Sequence, residues 1–297
     1  MAEYEVTCVG NFTKDTVVVG GTERVVYGGG FNYGCHAARG LGKRTAAVTR
    51  LSIEDKRVVE ELEAIGVRVF PSYCDSSTSL RLEYPGDNPD ERILTVTSVA
   101  STIGPKEIES VRSRAFVVGP SFRGEIELTT LRLLAARAEI LSIDVQGFVR
   151  TIADGRIVYS AWGEAEEVFR LATIVKVDSA EAEFLTGSSD SRRACAILHD
   201  RGAREIILTH RDGIMVYDGR SFYEAPFVAR SQAGRTGRGD TCVSSYVSRR
   251  LDDEPQEAIL WAAALTSLKL EHPGPFTGSF REVSKTVESL YRAPLTH

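Results

Sequence analysis

The sequence has no apolar run long enough to cross a membrane. Its best stretch, Ala258 to Leu270, contains Thr266, Ser267 and Lys269, and a span needs about 18 or more consecutive apolar residues. The opening residues, MAEYEVTCVG, hold no basic segment leading into an apolar core. No secretion signal is therefore expected, and the chain is read as cytoplasmic. Cysteine is sparse: five in 297 residues, odd in number and scattered, with no CxxC. That argues against a disulfide framework and suits thiols kept reduced. A basic surplus is missing too, since 36 lysines and arginines face 41 aspartates and glutamates. Nucleic acid is accordingly not an expected partner. Neither GxxxxGK[ST] nor a strict GxGxxG occurs, which speaks against a Walker-type phosphate loop and a nicotinamide-dependent dehydrogenase.

What remains is ordinary globular composition, 42% apolar and 26% charged, at a length for one large domain or two ordinary ones. Tyr4 to Gly10 reads as a strand. Thr16 to Val19 and Arg24 to Tyr27 flank Gly20-Gly21, a hairpin signature. Phe31 to Leu41 has helical spacing, with Gly34, Ala37 and Ala38 on one face. Thr45 to Thr49 reads as a strand, Ile53 to Ile65 as an amphipathic helix and Val67 to Pro71 as a strand. A second hairpin is expected from 78–84 (TSLRLEY) and 92–99 (RILTVTSV), whose alternation gives one wet and one covered face around PGDNPDE. From Ala115 to Val118 onward, β and α patterns alternate, with a helix over Glu125 to Ala138 and strands at Ile140 to Asp144, Ile174 to Val177 and Ile206 to Thr209. Such alternation predicts an α/β fold whose parallel sheet carries helices on both faces. The early hairpins do not fit that sheet and are expected as a small separate β layer.

The 26 glycines cluster. In GRTGRGDTCVSSYVSRRL, residues 234–251, a glycine turn feeds a helix N-terminus, whose free N–H groups and dipole suit a phosphate. Asp240 in its first turn can accept a proton from an attacking hydroxyl; an ordinary capped helix is the alternative. The second cluster, YGGGFNYGCHAARGLG at 27–42, lets backbone approach a ligand closely. Asn32 there offers a donor and an acceptor suited to sugar hydroxyls. Asp15 is placed near the end of the first strand, toward the sheet end where open α/β sheets bind ligands. Asp15 and Asn32 also read simply as turn residues.

Taken together, Gly10 with Asp15, Gly28-Gly29 with Asn32, and the late TGRGDT resemble the PfkB/ribokinase family of carbohydrate kinases over about residues 4–285. The resemblance implies a three-layer ribokinase-like fold, a mostly parallel sheet between helices, as one domain over 1–297. Lid strands would come from about 15–27 and 78–99. It implies ATP-dependent phosphorylation of a hydroxyl on a small sugar or polyol, with Mg²⁺ and with a monovalent cation as a further candidate cofactor. By position, Asp240 matches the catalytic base, and Gly237, Arg238 and Gly239 match the anion hole. Asp15, Gly29 and Asn32 match substrate positions. Glu181, with Asp178, matches the acidic pair that holds Mg²⁺ through water. Thr209 and Gly213 match nucleotide contacts. A homodimer through the lid is a further expectation.

Four features depart from the family pattern. Asp178 stands for an asparagine, Gly234 for an aspartate, and Arg238 for a small anion-hole residue; the nucleotide segment THRDG is one residue short. Arg238 either clamps phosphate or points to solvent or a carboxylate. IDVQGFVR (143–150) and LKLEHPGPF (268–276) are similar to an inositol-kinase-like subgroup. The alternative function is a catalytically weak sugar- or nucleotide-sensing protein on the same fold.

Overall fold

The structure, a computed structural model, describes residues 2–84 and 93–292; the expected turn PGDNPDE lies outside them. Its strands are β1 (Tyr4–Val9), β2 (Thr13–Val19), β3 (Thr22–Gly28), β4 (Thr45–Ser52), β5 (Arg68–Cys74), β6 (Thr78–Tyr84), β7 (Ile93–Ser98), β8 (Ser113–Val118), β9 (Ile140–Asp144), β10 (Arg150–Ala153), β11 (Arg156–Tyr159), β12 (Ile174–Asp178), β13 (Glu205–Thr209), β14 (Gly213–Tyr217) and β15 (Phe222–Pro226).

Nine strands form the main sheet in the order β15-β14-β13-β12-β9-β8-β1-β4-β5. The seven from β13 to β5 pair in parallel, and β14 and β15 add an antiparallel edge. The parallel strands are short and apolar because both of their faces are covered. Val9, Val118, Ile143, Val175 and Ile206 pack on one side with the helices Leu128–Ala135, Ala165–Leu171 and Ser191–Asp200. Val6, Ala47, Val117 and Ile207 pack on the other with the helices Gly30–Gly40, Arg238–Arg250 and Pro255–Leu270. No helix among the described residues is long and apolar enough to cross a membrane. The expected three-layer arrangement is present.

The hairpins form a second sheet, β10-β11-β7-β6-β2-β3, in which only β2 and β6 run parallel. At the β2–β3 turn, Gly20 and Gly21 have φ of 56° and 77°, the left-handed pair that a two-residue hairpin requires. Strands β10 and β11 extend this layer beyond the two hairpins expected. Asp15 lies in the middle of β2, opposite Val26 and Leu80, not near the end of the first strand.

Two expected helices are shorter than their apolar spacing. Over Ile53 to Ile65, a 3₁₀ turn at Ile53–Asp55 precedes the α-helix Arg57–Ala64, because the Ser52 hydroxyl accepts from Glu54 N and caps the first turn separately. Over Glu125 to Ala138, only Leu128–Ala135 is helical. Glu125 turns inward instead, accepting from the N–H groups of Asn11 and Ser121 at 2.6 and 2.8 Å.

The helices Gly30–Gly40 and Arg238–Arg250 meet face to face at Gly34. A Cβ on Gly34 would lie 2.4 Å from Ser244 Oγ and 2.9 Å from Cys8 Sγ. Both helices carry glycine-rich N-termini toward the same end of the sheet, so this contact sets the spacing between them. Replacing Gly34 with Val is expected to cost about 1–3 kcal/mol by overpacking, read as a lower midpoint in urea unfolding.

Candidate active site

The carboxyl ends of five adjacent parallel strands converge here. Asn11 follows β1, Gly119 follows β8, and Asp144, Asp178 and Thr209 end β9, β12 and β13. Strand alternation cannot bury polar side chains at these ends except by pairing them with charge or backbone.

At the centre is a lysine that the sequence patterns did not single out. Lys176 interrupts the apolar strand IVKVD and is 3% exposed. Its Nζ lies 3.1 Å from Asp144 Oδ2, 3.2 Å from Asp144 Oδ1 and 3.8 Å from Glu181 Oε2. Burial works against its charge, but Asp144, Glu181, Asp178 and Asp240 together raise its pKa well above the ordinary lysine value. Glu181 is fully buried. Burial pushes its carboxyl up to about 7, against the pull of Lys176.

Glu181 and Asp178 are also joined at the start of the helix Ser179–Thr186. Glu181 Oε2 accepts from Asp178 N, and Asp178 Oδ1 accepts from Glu181 N, both at 2.8 Å. This reciprocal cap uses one oxygen of each side chain. Arg150 Nη2 lies 3.5 Å from the other Glu181 oxygen.

Directly above Lys176 is the turn into the helix Arg238–Arg250. A Cβ on Gly239 would come within 3.2 Å of Lys176 Nζ. Gly237 has φ of 75°, and a Cβ there would overlap the Tyr33 ring at 2.3 Å. Gly237 needs glycine for its conformation and for the Tyr33 ring, while a side chain at Gly239 would press on the end of Lys176. No side chain caps this helix start; Arg238 N donates to Arg235 O at 3.3 Å, which leaves the N–H groups of Gly239 and Asp240 to face an anion, with the ammonium of Lys176 behind them.

Asp240 projects from the first turn toward bare backbone. A Cβ on Gly30 would lie 2.9 Å from Asp240 Oδ1, and one on Gly119 would lie 3.9 Å from it. Burial, then the charge of Asp144, raises its pKa to about 6, while Lys176, Arg150 and Lys269 oppose the shift. The carboxylate is therefore more basic than usual yet mostly ionised at neutral pH.

On the side of the second sheet, burial likewise lifts Asp15 to about 6 despite a hydrogen bond with Thr13. Asp15 Oδ1, Asn11 Oδ1 and Tyr33 Oη are buried without partners. Unmatched polar atoms of this kind carry a desolvation cost that a hydroxylated ligand would relieve. Asn32 is buried in the first turn of the helix Gly30–Gly40. Gly29, at φ 95°, passes so close to Asn11 O that a Cβ would sit 2.5 Å away. The electrostatic influence of both Asp15 and Asp240 on Tyr33 ties these groups to one locality.

Thr209 is buried at the end of β13, paired in register with Asp178. The short segment after it closes tightly, with His210 N donating to Gly213 O at 3.0 Å. Gly213 begins β14, where a Cβ would meet Ala225 O at 2.5 Å, so its missing side chain serves strand pairing. Arg238 turns toward this segment. Its Nη1 donates to Arg211 O at 3.4 Å, and its guanidinium lies over the Phe227 ring at 6.0 Å. Gly234 is also accounted for: a Cβ there would lie 2.0 Å from His272 O, leaving no room for an aspartate.

The family model for pfkB family carbohydrate kinase matches residues 2–279. In structure, the chain is similar to a pyrophosphate-dependent kinase in the ribokinase family complexed with a pyrophosphate analogue and myo-inositol. The TM-score is 0.86 at 33% identity, covering 94% of this chain and 99% of that one. A sulfate complex of a pyrophosphate-dependent kinase in the ribokinase family gives 0.88 at 35% identity, over 95% and 99%. A cytidine kinase of Thermococcus kodakarensis is 23% identical over 264 residues, 85% of this chain and 91% of the relative.

Two stability outcomes follow from the charges. Lys176→Met leaves Asp144 and Glu181 without their buried partner and should cost about 3–5 kcal/mol at pH 8. The loss should shrink at pH 5, below the value near 7 at which Glu181 takes up its proton. Asp240→Asn has the opposite sign. The carboxyl is raised in the folded state, so ionising it lowers stability as pH rises toward and through about 6. The neutral amide should raise Tm at pH 8 and change it little at pH 4, as read by calorimetry at both pH values.

Proposed function

The chain belongs to the pfkB family of carbohydrate kinases, and from that premise we propose that it transfers a phosphoryl group from inorganic pyrophosphate to one hydroxyl of an inositol-like polyol. One observation carries the reading. Asp240, raised toward neutrality by burial, lies over the bare backbone of Gly30 and Gly119 at the foot of an uncapped helix start. A hydroxyl resting there would lose its proton to Asp240 while its oxygen attacks phosphorus. The anhydride bond breaks, phosphate leaves, and the transferring group keeps its negative charge. The N–H groups of the Gly237–Asp240 turn, with Lys176 behind them, would stabilise that charge.

The donor assignment rests on charge and size. Arg238, at a position where the family pattern has a small residue, is directed at the shortened THRDG segment. Guanidinium groups there suit a compact polyanion that carries no base. The similarity to pyrophosphate-dependent kinases, at 33–35% identity over nearly the whole chain, supports the same choice. ATP, implied by the resemblance, has the same terminal anhydride and would place it against the same turn, with Thr209 beside it.

Asp178 and Glu181 fit the role of holding Mg²⁺ through its water, since each keeps one carboxylate oxygen outside their reciprocal cap and hard cations take oxygen donors. Bound there, the ion would neutralise charge on the donor. Asp15, Asn11 and Asn32 supply the polar atoms for a polyhydroxylated ring, and the myo-inositol complex of the similar kinase supports an inositol there. In this reading the chain is one kinase domain and its second sheet is a lid. Val19, Val25, Ile152 and Val158 of that sheet are exposed, which suits the expected pairing of two lids in a homodimer.

The test is an assay of pyrophosphate and ATP, each with Mg²⁺, against myo-inositol, ribose, fructose and cytidine, with product followed by mass spectrometry. An inositol monophosphate is expected with pyrophosphate. Faster turnover with ATP would move the donor, and cytidine phosphate would move the acceptor. Asp240→Asn should lose at least about 100-fold in kcat while retaining KM for the polyol within a few-fold.

A further inference from the structure

Lys269 lies in the last two turns of the helix Pro255–Leu270 and is 2% exposed. A lysine that deep is costly unless its charge is satisfied. Its ammonium forms no ion pair among the described residues. It donates instead to two backbone carbonyls, those of Gly234 and Thr236, and lies 5.2 Å from the centre of the Tyr33 ring. Carbonyl oxygens and an aromatic face are the surroundings that satisfy a weakly hydrated monovalent cation such as potassium or ammonium.

The two carbonyls belong to the segment that leads into Gly237, Arg238 and Gly239. That segment is held against the same helix end elsewhere as well. Gly234 N donates to Leu270 O at 2.9 Å, and Gly234 packs against His272 O and Lys269 O with no space for a side chain. Tyr33 completes the arrangement, since the ring beside the ammonium is also the ring that excludes a Cβ from Gly237. Pulling the ammonium away would leave the carbonyls of Gly234 and Thr236 without this donor, directly before the turn that would receive phosphate. Burial pushes Lys269 down to about 8 while Asp240 pulls the other way, so the group is still mainly charged at neutral pH.

We infer that the Lys269 ammonium is a tethered monovalent cation that fixes the segment Gly234–Thr236 and hence the phosphate-binding turn, so that this chain works without free potassium. The inference rests on the proposed phosphoryl transfer for its kinetic readout, but not for its thermal one. Lys269 is a positioning residue, since it would act through the turn and not on the reacting atoms.

The experiment compares the wild type, Lys269→Ala and Lys269→Arg at constant ionic strength in KCl, NH₄Cl or tetramethylammonium chloride. Turnover and Tm are read in each. The wild type should vary less than twofold in kcat and by no more than a degree or so in Tm among the salts. Lys269→Ala should lose at least tenfold in kcat with little change in polyol KM. It should regain several-fold, and several degrees of Tm, in KCl or NH₄Cl but not in tetramethylammonium chloride. Lys269→Arg keeps a charge in place and should remain insensitive to the choice of salt.

A wild type stimulated fivefold or more by potassium overturns the inference. So does a Lys269→Ala variant that keeps wild-type turnover, or one whose loss no small cation restores. If Lys269→Ala does not fold, the wild type and Lys269→Arg decide the matter by the same salt comparison. If the wild type turns over none of the substrates, the kinase reading fails separately, and the salt dependence of Tm still decides the role of Lys269.

Discussion

The structure depends on one buried charge. Lys176 sits in the middle of a nine-stranded sheet, with Asp144 ending the neighbouring strand, Glu181 capping the helix beyond its own strand, and Gly239 above it. Three carboxylates, with Asp240, stand at the carboxyl ends of strands that are otherwise apolar. Without a cation among them, burial and mutual repulsion would drive most of them to take up protons. The lysine opposes that uptake and aligns the group, and its ammonium faces the helix start where a phosphoryl group would arrive. A residue that settles the electrostatics of the sheet thereby also prepares the anion site.

The same burial gives Asp240 its chemistry. A carboxylate in water is a feeble base toward an alcohol. Covered by the Gly30 and Gly119 backbones and crowded by Asp144, Asp240 is more basic than a solvated aspartate but is still ionised near neutrality. The cost is borne by the fold, through glycines whose Cβ would collide with their neighbours. Gly34 sets the separation of the two helices whose N-termini carry the site, Gly29 brings its backbone against Asn11, Gly30 brings its own against Asp240, and Gly237 accepts the Tyr33 ring. Stability and reactivity are opposed at Asp240 and aligned at Lys176.

Much of this was legible in the sequence. Alternating βα segments gave the three-layer arrangement because parallel strands buried on both faces are written as short apolar runs. The glycine clusters marked the two helix starts because close backbone approach excludes side chains. Less legible were the residues that hold those clusters in place. Lys176 and Lys269 each appear as one charge inside an apolar run, a signal that identifies a buried cation only once its partners are known. Those partners, Asp144 on a neighbouring strand and the carbonyls of Gly234 and Thr236 some 35 residues upstream of Lys269, are brought near by topology. Asp15 lies within β2 and not near the end of the first strand, because the chain leaves β1 at Val9 and starts a new strand at Thr13. Strands β10 and β11 were missed because Arg150–Ala153 and Arg156–Tyr159 are too short to stand out from a loop.

The most direct test of this account is the pH dependence of kcat/KM for the preferred donor and acceptor, measured from pH 5 to 8.5. If the buried Asp240 carboxylate is the base, the rate constant falls on the acid side with a midpoint near 6, about two units above an ordinary aspartate. A rate that stays level down to pH 5 would contradict it, because a base with that environment is mostly protonated there.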